Sequence, residues 1–160
     1  MWHLVLIAVC AAAVAALTGG LIDLGESRKS RQGAVEIRAQ RFIKRHAEVT
    51  AANTRYLLIK DRKPRDVEFE LLMGCLAFAQ QSEGALDLAV IEQIVGPADR
   101  VVALLDSRLH LYGYDSGHGR SYAVLRVDAN QRATSIGFNN AAAIDGQLAN
   151  GQYPTAEDAK

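Results

Sequence analysis

The first 22 residues, Met1 to Ile22 (MWHLVLIAVCAAAVAALTGGLI), contain no Asp, Glu, Lys or Arg, and this run limits the chain more than any other feature. Wound as a helix it reaches about 33 Å, enough for the apolar core of a bilayer. Trp2 stands where an interfacial aromatic would anchor one end. The expectation is a transmembrane helix over residues 1–23. A secretory signal would open with Lys or Arg, whereas here only the α-amino group and His3 are on offer. Val14-Ala15-Ala16 still has the small residues of a cleavage site, so export after signal cleavage is the alternative. Lipidation of Cys10 is rejected: Val9 precedes it where a small residue is needed, and the apolar run continues beyond.

Charge sets the expected orientation. Arg28, Lys29, Arg31, Arg38 and Arg41 follow the run and none precedes it, the bias of a cytoplasmic flank. The reading is a single-pass protein of the cell inner membrane with its C-terminal domain in the cytoplasm. Ala8, Ala12, Ala16 and Gly20 recur every four residues, a small-residue ladder through which two spans would pack as a homodimer.

A formal net charge of zero conceals a division. Glu26 to Arg65 holds twelve Lys/Arg against four Asp/Glu, while Asp66 to Lys160 holds six against thirteen. In the basic segment, residues 24–63, the stripe Val35, Ala39, Phe42, His46, Val49, Asn53 and Tyr56 predicts one amphipathic helix ending near Lys60. Arg28, Lys29, Arg31, Arg38, Arg41, Lys44 and Arg45 are its candidate contacts to anionic lipid. Only Phe42 and Tyr56 are available for stacking, which argues against nucleic acid. His46 has no second histidine at metal-ligand spacing, and nothing in the sequence calls for a metal or cofactor.

Residues 64–138 read as a small α+β domain. Pro64-Arg65-Asp66 opens a helix whose face is Val67, Leu71, Cys75 and Phe78, with Leu72, Leu76 and Ala79 beside it; Gly84 ends it. Asp87 caps a second helix that stops at Gly96-Pro97. The apolar period then changes to two, giving three strands around Leu109, Ala123 and Thr134. Residues 139–160 lose the pattern and read as a mobile tail. The expected architecture is an N-terminal transmembrane helix, a basic amphipathic helix, then two short helices packed on a three-stranded antiparallel meander.

The sequence Gly96-Pro97-Ala98-Asp99-Arg100-Val101, the strand Leu109-His110-Leu111-Tyr112-Gly113-Tyr114 and the run Tyr122 to Asn130 together resemble the SmpA/OmlA (BamE-like) domain of bacterial envelope proteins. The resemblance covers about residues 66–138. It implies helices on a three-stranded sheet and an assembly or binding role without catalysis.

The stretch YGYDSGHGRSY, Tyr112 to Tyr122, carries Asp115, Ser116 and His118, the residue types of a hydrolase. Triads are assembled from separate elements, and these three are near neighbours in a polar turn. Gly117 and Gly119 supply the backbone freedom of a hairpin, so the expected catalytic set is empty and the turn is structural. A small hydrolase using Asp115 and His118 is the alternative, and an anionic-lipid or nucleic-acid adaptor acting through the basic helix is another. The favoured reading is a membrane-anchored, non-enzymatic binding or scaffold protein. Its partner is an unidentified protein, met by a surface of His110, Tyr112, Tyr114 and Tyr122.

Overall fold

The computed structural model describes residues 28–152, and the chain divides into two units, Met1–Ile37 and Arg38–Lys160. The expected span, its cleavage site and the small-residue ladder lie outside the described residues, as do the last eight positions of the expected tail. Among the described residues no helix is long and apolar enough to cross a membrane.

Helix α1 spans 28–45 and α2 spans Ala47–Tyr56, so the single helix expected to reach Lys60 is broken at His46. His46 is extended (φ −116°, ψ 100°), and its ring lies 3.0 Å from Glu83 Oε1 and 4.7 Å from the Phe42 ring. Thr50 Oγ1 donates to the Ile43 carbonyl at 2.7 Å, satisfying an acceptor that the break frees. Ala39, Phe42, Val49, Ala52 and Tyr56 face the core, and the Tyr56 hydroxyl donates to the Val95 carbonyl at 3.1 Å.

Helix α3, Val67–Glu83, starts where Asp66 accepts from the Glu68 amide and stops at Gly84. Strand β1 (Leu86–Asp87) leads into α4 (Leu88–Val95), capped by Asp87 and closed by Gly96. Then follow β2 (Arg100–Ala103), β3 (Arg108–Asp115), β4 (Arg120–Val127), β5 (Arg132–Asn140) and α5 (Ala141–Ala149). The meander is confirmed but larger than expected: five antiparallel strands in the order β1-β5-β4-β3-β2. Two residues are too few to show a period, which is why β1 escapes a sequence reading.

Cross-strand register decides the faces. Tyr112 stands opposite Ala123, His110 opposite Leu125, and Arg108 opposite Val127. These residues share one face, against which α2, α3 and α4 bury Tyr56, Phe69, Leu72, Met73, Leu76 and Ile91. Leu109 and Leu111 are on the other face with Val124 and Tyr122, under Ile144 and Leu148 of α5. The expected mobile tail is therefore corrected over 141–149. Asn140 caps α5 by accepting from the Ala142 amide at 2.9 Å, and Arg100 pairs with Asp145 at 3.2 Å. Without α5 the Leu109 and Leu111 face would be open to water.

Gly96 has φ +85° and ψ 179°, a region that is essentially glycine's alone. Gly74, within α3, has no such constraint, and a Cβ there meets nothing within 4 Å. Gly96→Ala should lower unfolding free energy by about 1–3 kcal/mol from backbone strain. Gly74→Ala should raise it by roughly 0.5–1 kcal/mol through helix propensity. Denaturant melts of the full chain in detergent check both; a shift of the same sign in the two variants contradicts the placement of the helix end.

Candidate functional site

The hairpin tip folds as a turn. Gly117 and Gly119 have φ of +79° and +125°, Ser116 N donates to the Gly119 carbonyl at 3.2 Å, and Asp115 Oδ1 accepts from Gly117 N at 2.9 Å. Ser116 Oγ directs its proton to the Gly119 carbonyl at 3.0 Å, and no hydrogen bond joins it to the His118 ring. A nucleophile needs its base within hydrogen-bond reach, and this serine's proton is already committed elsewhere. Ser116 and His118 do line an open hollow of about 480 Å³ with Tyr114 and Glu70. There the Tyr114 hydroxyl donates to Glu70 Oε1 at 3.1 Å, and burial together with that carboxylate pushes the phenol up to about 12.

The expected aromatic surface of His110, Tyr112, Tyr114 and Tyr122 does not form. Tyr112 and Tyr114 are buried beneath α3, their rings 6.2 and 6.0 Å from Phe69. Tyr122, opposite Gly113, points to the other face and is half-buried near α5. Alternation within a strand shows which residues share a side but not which side a partner strand presents. Across the strands it is Leu125 and Val127 that share the side of Tyr112 and Tyr114.

His110 is 6% exposed, and neither ring nitrogen has a hydrogen-bond partner. Burial, and then the nearby Arg108, holds its pKa below the ordinary histidine range. Glu92 Oε1 lies 3.6 Å from Nδ1, too long for a hydrogen bond, and its attraction does not outweigh the burial. Burial also raises Glu92 and Tyr112. Burial thus pushes His110 and Glu92 alike toward their neutral forms, which suits packing.

Arg65 is a polar residue that the sequence did not single out. Its guanidinium donates to Asp99 Oδ2 at 2.8 Å and to the Pro97 carbonyl at 3.3 Å. It also lies 4.9 and 5.6 Å from the Phe69 and Tyr112 ring centres. Asp99 Oδ2 in turn accepts from Gly113 N at 2.7 Å. The guanidinium is engaged by Asp99, the Pro97 carbonyl and two rings, so the cluster reads as structural.

Two surfaces remain. The basic residues Arg28, Lys29 and Arg31 are exposed on α1 in the first unit; Arg38, Arg41, Lys44 and Arg45 are exposed in the second. On α3 the residues expected to face the core prove to be the outer side: Val67, Leu71 and Phe78 are exposed, Phe78 to 62%. The residues beside them, with Phe69 and Met73, are the buried ones. Leu71, Gly74, Cys75 and Phe78 border a shallow hollow of about 420 Å³, with Glu48 of α2 at its rim. Burial and then Glu48 raise the Cys75 thiol, which keeps it protonated and unreactive at neutral pH. Among the described residues, no three His, Cys, Asp or Glu side chains converge to hold a metal.

Compared with family models, curated proteins and solved structures, the chain matches none of them.

The His110 pocket gives a pH prediction. An imidazole held below its unfolded value of about 6.5 is neutral in the fold, while the unfolded chain takes up a proton below that pH. Stability should therefore fall as pH drops from 7 through 6.5 toward the folded pKa. His110→Leu should flatten this fall and leave stability at pH 7 unchanged or higher, because two unpaired buried nitrogens are removed. Urea melts at pH 7.5, 6.5 and 5.5 check it; parallel curves for the two proteins would contradict the assignment.

Proposed function

We propose that this chain is a single-pass protein of the bacterial inner membrane that presents a non-enzymatic binding domain on the cytoplasmic side. Its work is recognition of a protein partner, in envelope assembly as the SmpA/OmlA (BamE-like) resemblance implies. The observation that carries the proposal is α3, apolar on both its inner and outer sides through its middle turns, with the outer side uncovered among the described residues. Helices of that kind are normally enclosed. Leu58, at the end of α2, is 82% exposed and Leu57 is also exposed, so the apolar surface is not confined to one helix. Exposed apolar surface of the kind on the outer side of α3 marks interaction sites.

The hollow at Gly74 accepts one apolar side chain of a partner helix or strand, as a knob enters a hole. Glu48 at its rim favours a partner with a neighbouring cation. The hydrolase alternative gains nothing from the hairpin, whose serine proton is engaged by a carbonyl.

The test is the size of the native complex formed by the full chain extracted from its own membranes in mild detergent. Wild type should migrate as a complex larger than the purified chain alone. Phe78→Asp should weaken the complex by about 2 kcal/mol or more, the loss of a central aromatic anchor. Gly74→Leu, at a position where an added Cβ meets nothing within 4 Å, places a side chain in the hollow and should do the same while the domain stays folded. Ser116→Ala and His118→Ala should change nothing, since each alters an exposed turn by within about 0.5 kcal/mol. Complexes intact in Phe78→Asp and Gly74→Leu, or lost in the turn variants, would overturn the proposal.

A further inference from the structure

Within the second unit, the C-terminal half of α1 and the β1–α4 corner enclose a cleft of about 620 Å³. That volume is typical of small-ligand sites, which run to about 300–1,000 Å³. Its floor is apolar: Phe42 is 5% exposed, and Leu86 and Val90 are equally buried. Five cations line it, Arg38, Arg41, Lys44 and Arg45 from α1 and Arg132 from β5, against the carboxylates of Glu83 and Asp87. Three positive charges are therefore in excess.

The pairing is uneven. Arg38 Nη1 lies 2.6 Å from Asp87 Oδ2, and Arg45 Nη1 lies 3.6 Å from Glu83 Oε1. Arg132 donates to the Ala85 carbonyl, which fixes its position without cancelling its charge. Arg41 and Lys44 have no carboxylate within ion-pair distance among the described residues. A solvated basic helix face needs neither a concavity nor an apolar floor; this one has both.

That combination selects the ligand. Guanidinium forks match phosphate oxygens, and the floor matches hydrocarbon. A free phosphate would make no use of that apolar floor. A nucleic acid would want exposed rings for stacking, and the aromatic in this cleft is sunk in its floor. We infer that the cleft binds one anionic phospholipid, its phosphate held by Arg41, Lys44 and Arg132 and the first acyl carbons resting on Phe42, Leu86 and Val90. Diffuse attraction of a basic helix to a charged surface would not saturate; this site does, at one lipid per chain. It shares no residue with the α3 surface, so either assignment fails without the other.

The test is native mass spectrometry of the full chain in a neutral detergent, titrated with dihexanoyl phosphatidylglycerol. Parallel titrations use dihexanoyl phosphatidylcholine, glycerophosphoglycerol (the headgroup without acyl chains) and inorganic phosphate. One phosphatidylglycerol should bind per chain, with the other three about tenfold weaker or more, given the strength of cation and acyl contacts. The double variant Arg41→Gln/Lys44→Gln should bind about tenfold more weakly, while the charge-matched Arg55→Gln/Lys60→Gln stays within about twofold of wild type. Equal binding of phosphatidylcholine, or of the headgroup alone, would overturn the inference. Equal losses in the two double variants would reduce it to general electrostatics and overturn it as well.

Discussion

The guanidinium of Arg65 is the point on which the folded domain turns. It is 11% exposed, and it joins the start of α3 to the chain leaving α4, 34 residues away. The Arg65 carbonyl meanwhile accepts from the Asp115 amide, so the same residue also holds the end of β3. Removing a guanidinium from water costs several kcal/mol, and an ion pair alone does not always return it. Here the Phe69 and Tyr112 rings add cation–π attraction of up to about 2 kcal/mol in a desolvated setting. Asp99, 38% exposed, keeps part of its hydration while it also accepts the Gly113 amide. With the Tyr114 hydroxyl on Glu70 and the Gln80 amide on the Thr134 carbonyl, this charge registers the helices to the sheet beneath them. A lysine could neither fork to two acceptors nor lie flat on two rings.

Once α2, α3 and α4 are fixed on one face, the tyrosine side of the sheet is covered. The tyrosines that look like a recognition surface in the sequence become the floor beneath α3. On the function proposed above, recognition passes to the outside of the helices. The apolar outer side of α3 and the basic cleft beside α1 are what an inward-facing sheet leaves over. They differ in chemistry, one nearly free of charge and the other ringed by it.

Local signals in the sequence were legible where a single residue fixes the backbone. Asp87 caps its helix, Gly84 and Gly96 end theirs, and the turn at 116–119 closes its hairpin. Contacts between distant residues were not legible. The break at His46 involves Glu83, the ion pair joins Arg65 to Asp99, and the cleft needs Arg132 beside the α1 cations. The short strands β1 and β2 exist because partner strands recruit them. Helix α5 was hidden because alanine-rich chain with little amphipathic pattern reads as tail until Leu109 and Leu111 require a cover. In α3 both faces are apolar, so periodicity had no means of telling inside from outside.

If the outer side of α3 is the reading surface, a photo-crosslinking phenylalanine in place of Phe78 should report it directly. The comparison is the same group in place of Leu105, a residue 61% exposed in the connection between β2 and β3. Irradiation of the full chain in its native membranes should give one discrete adduct from position 78 and none from position 105. Adducts from position 105 alone, or the same diffuse labelling from both, would contradict the account.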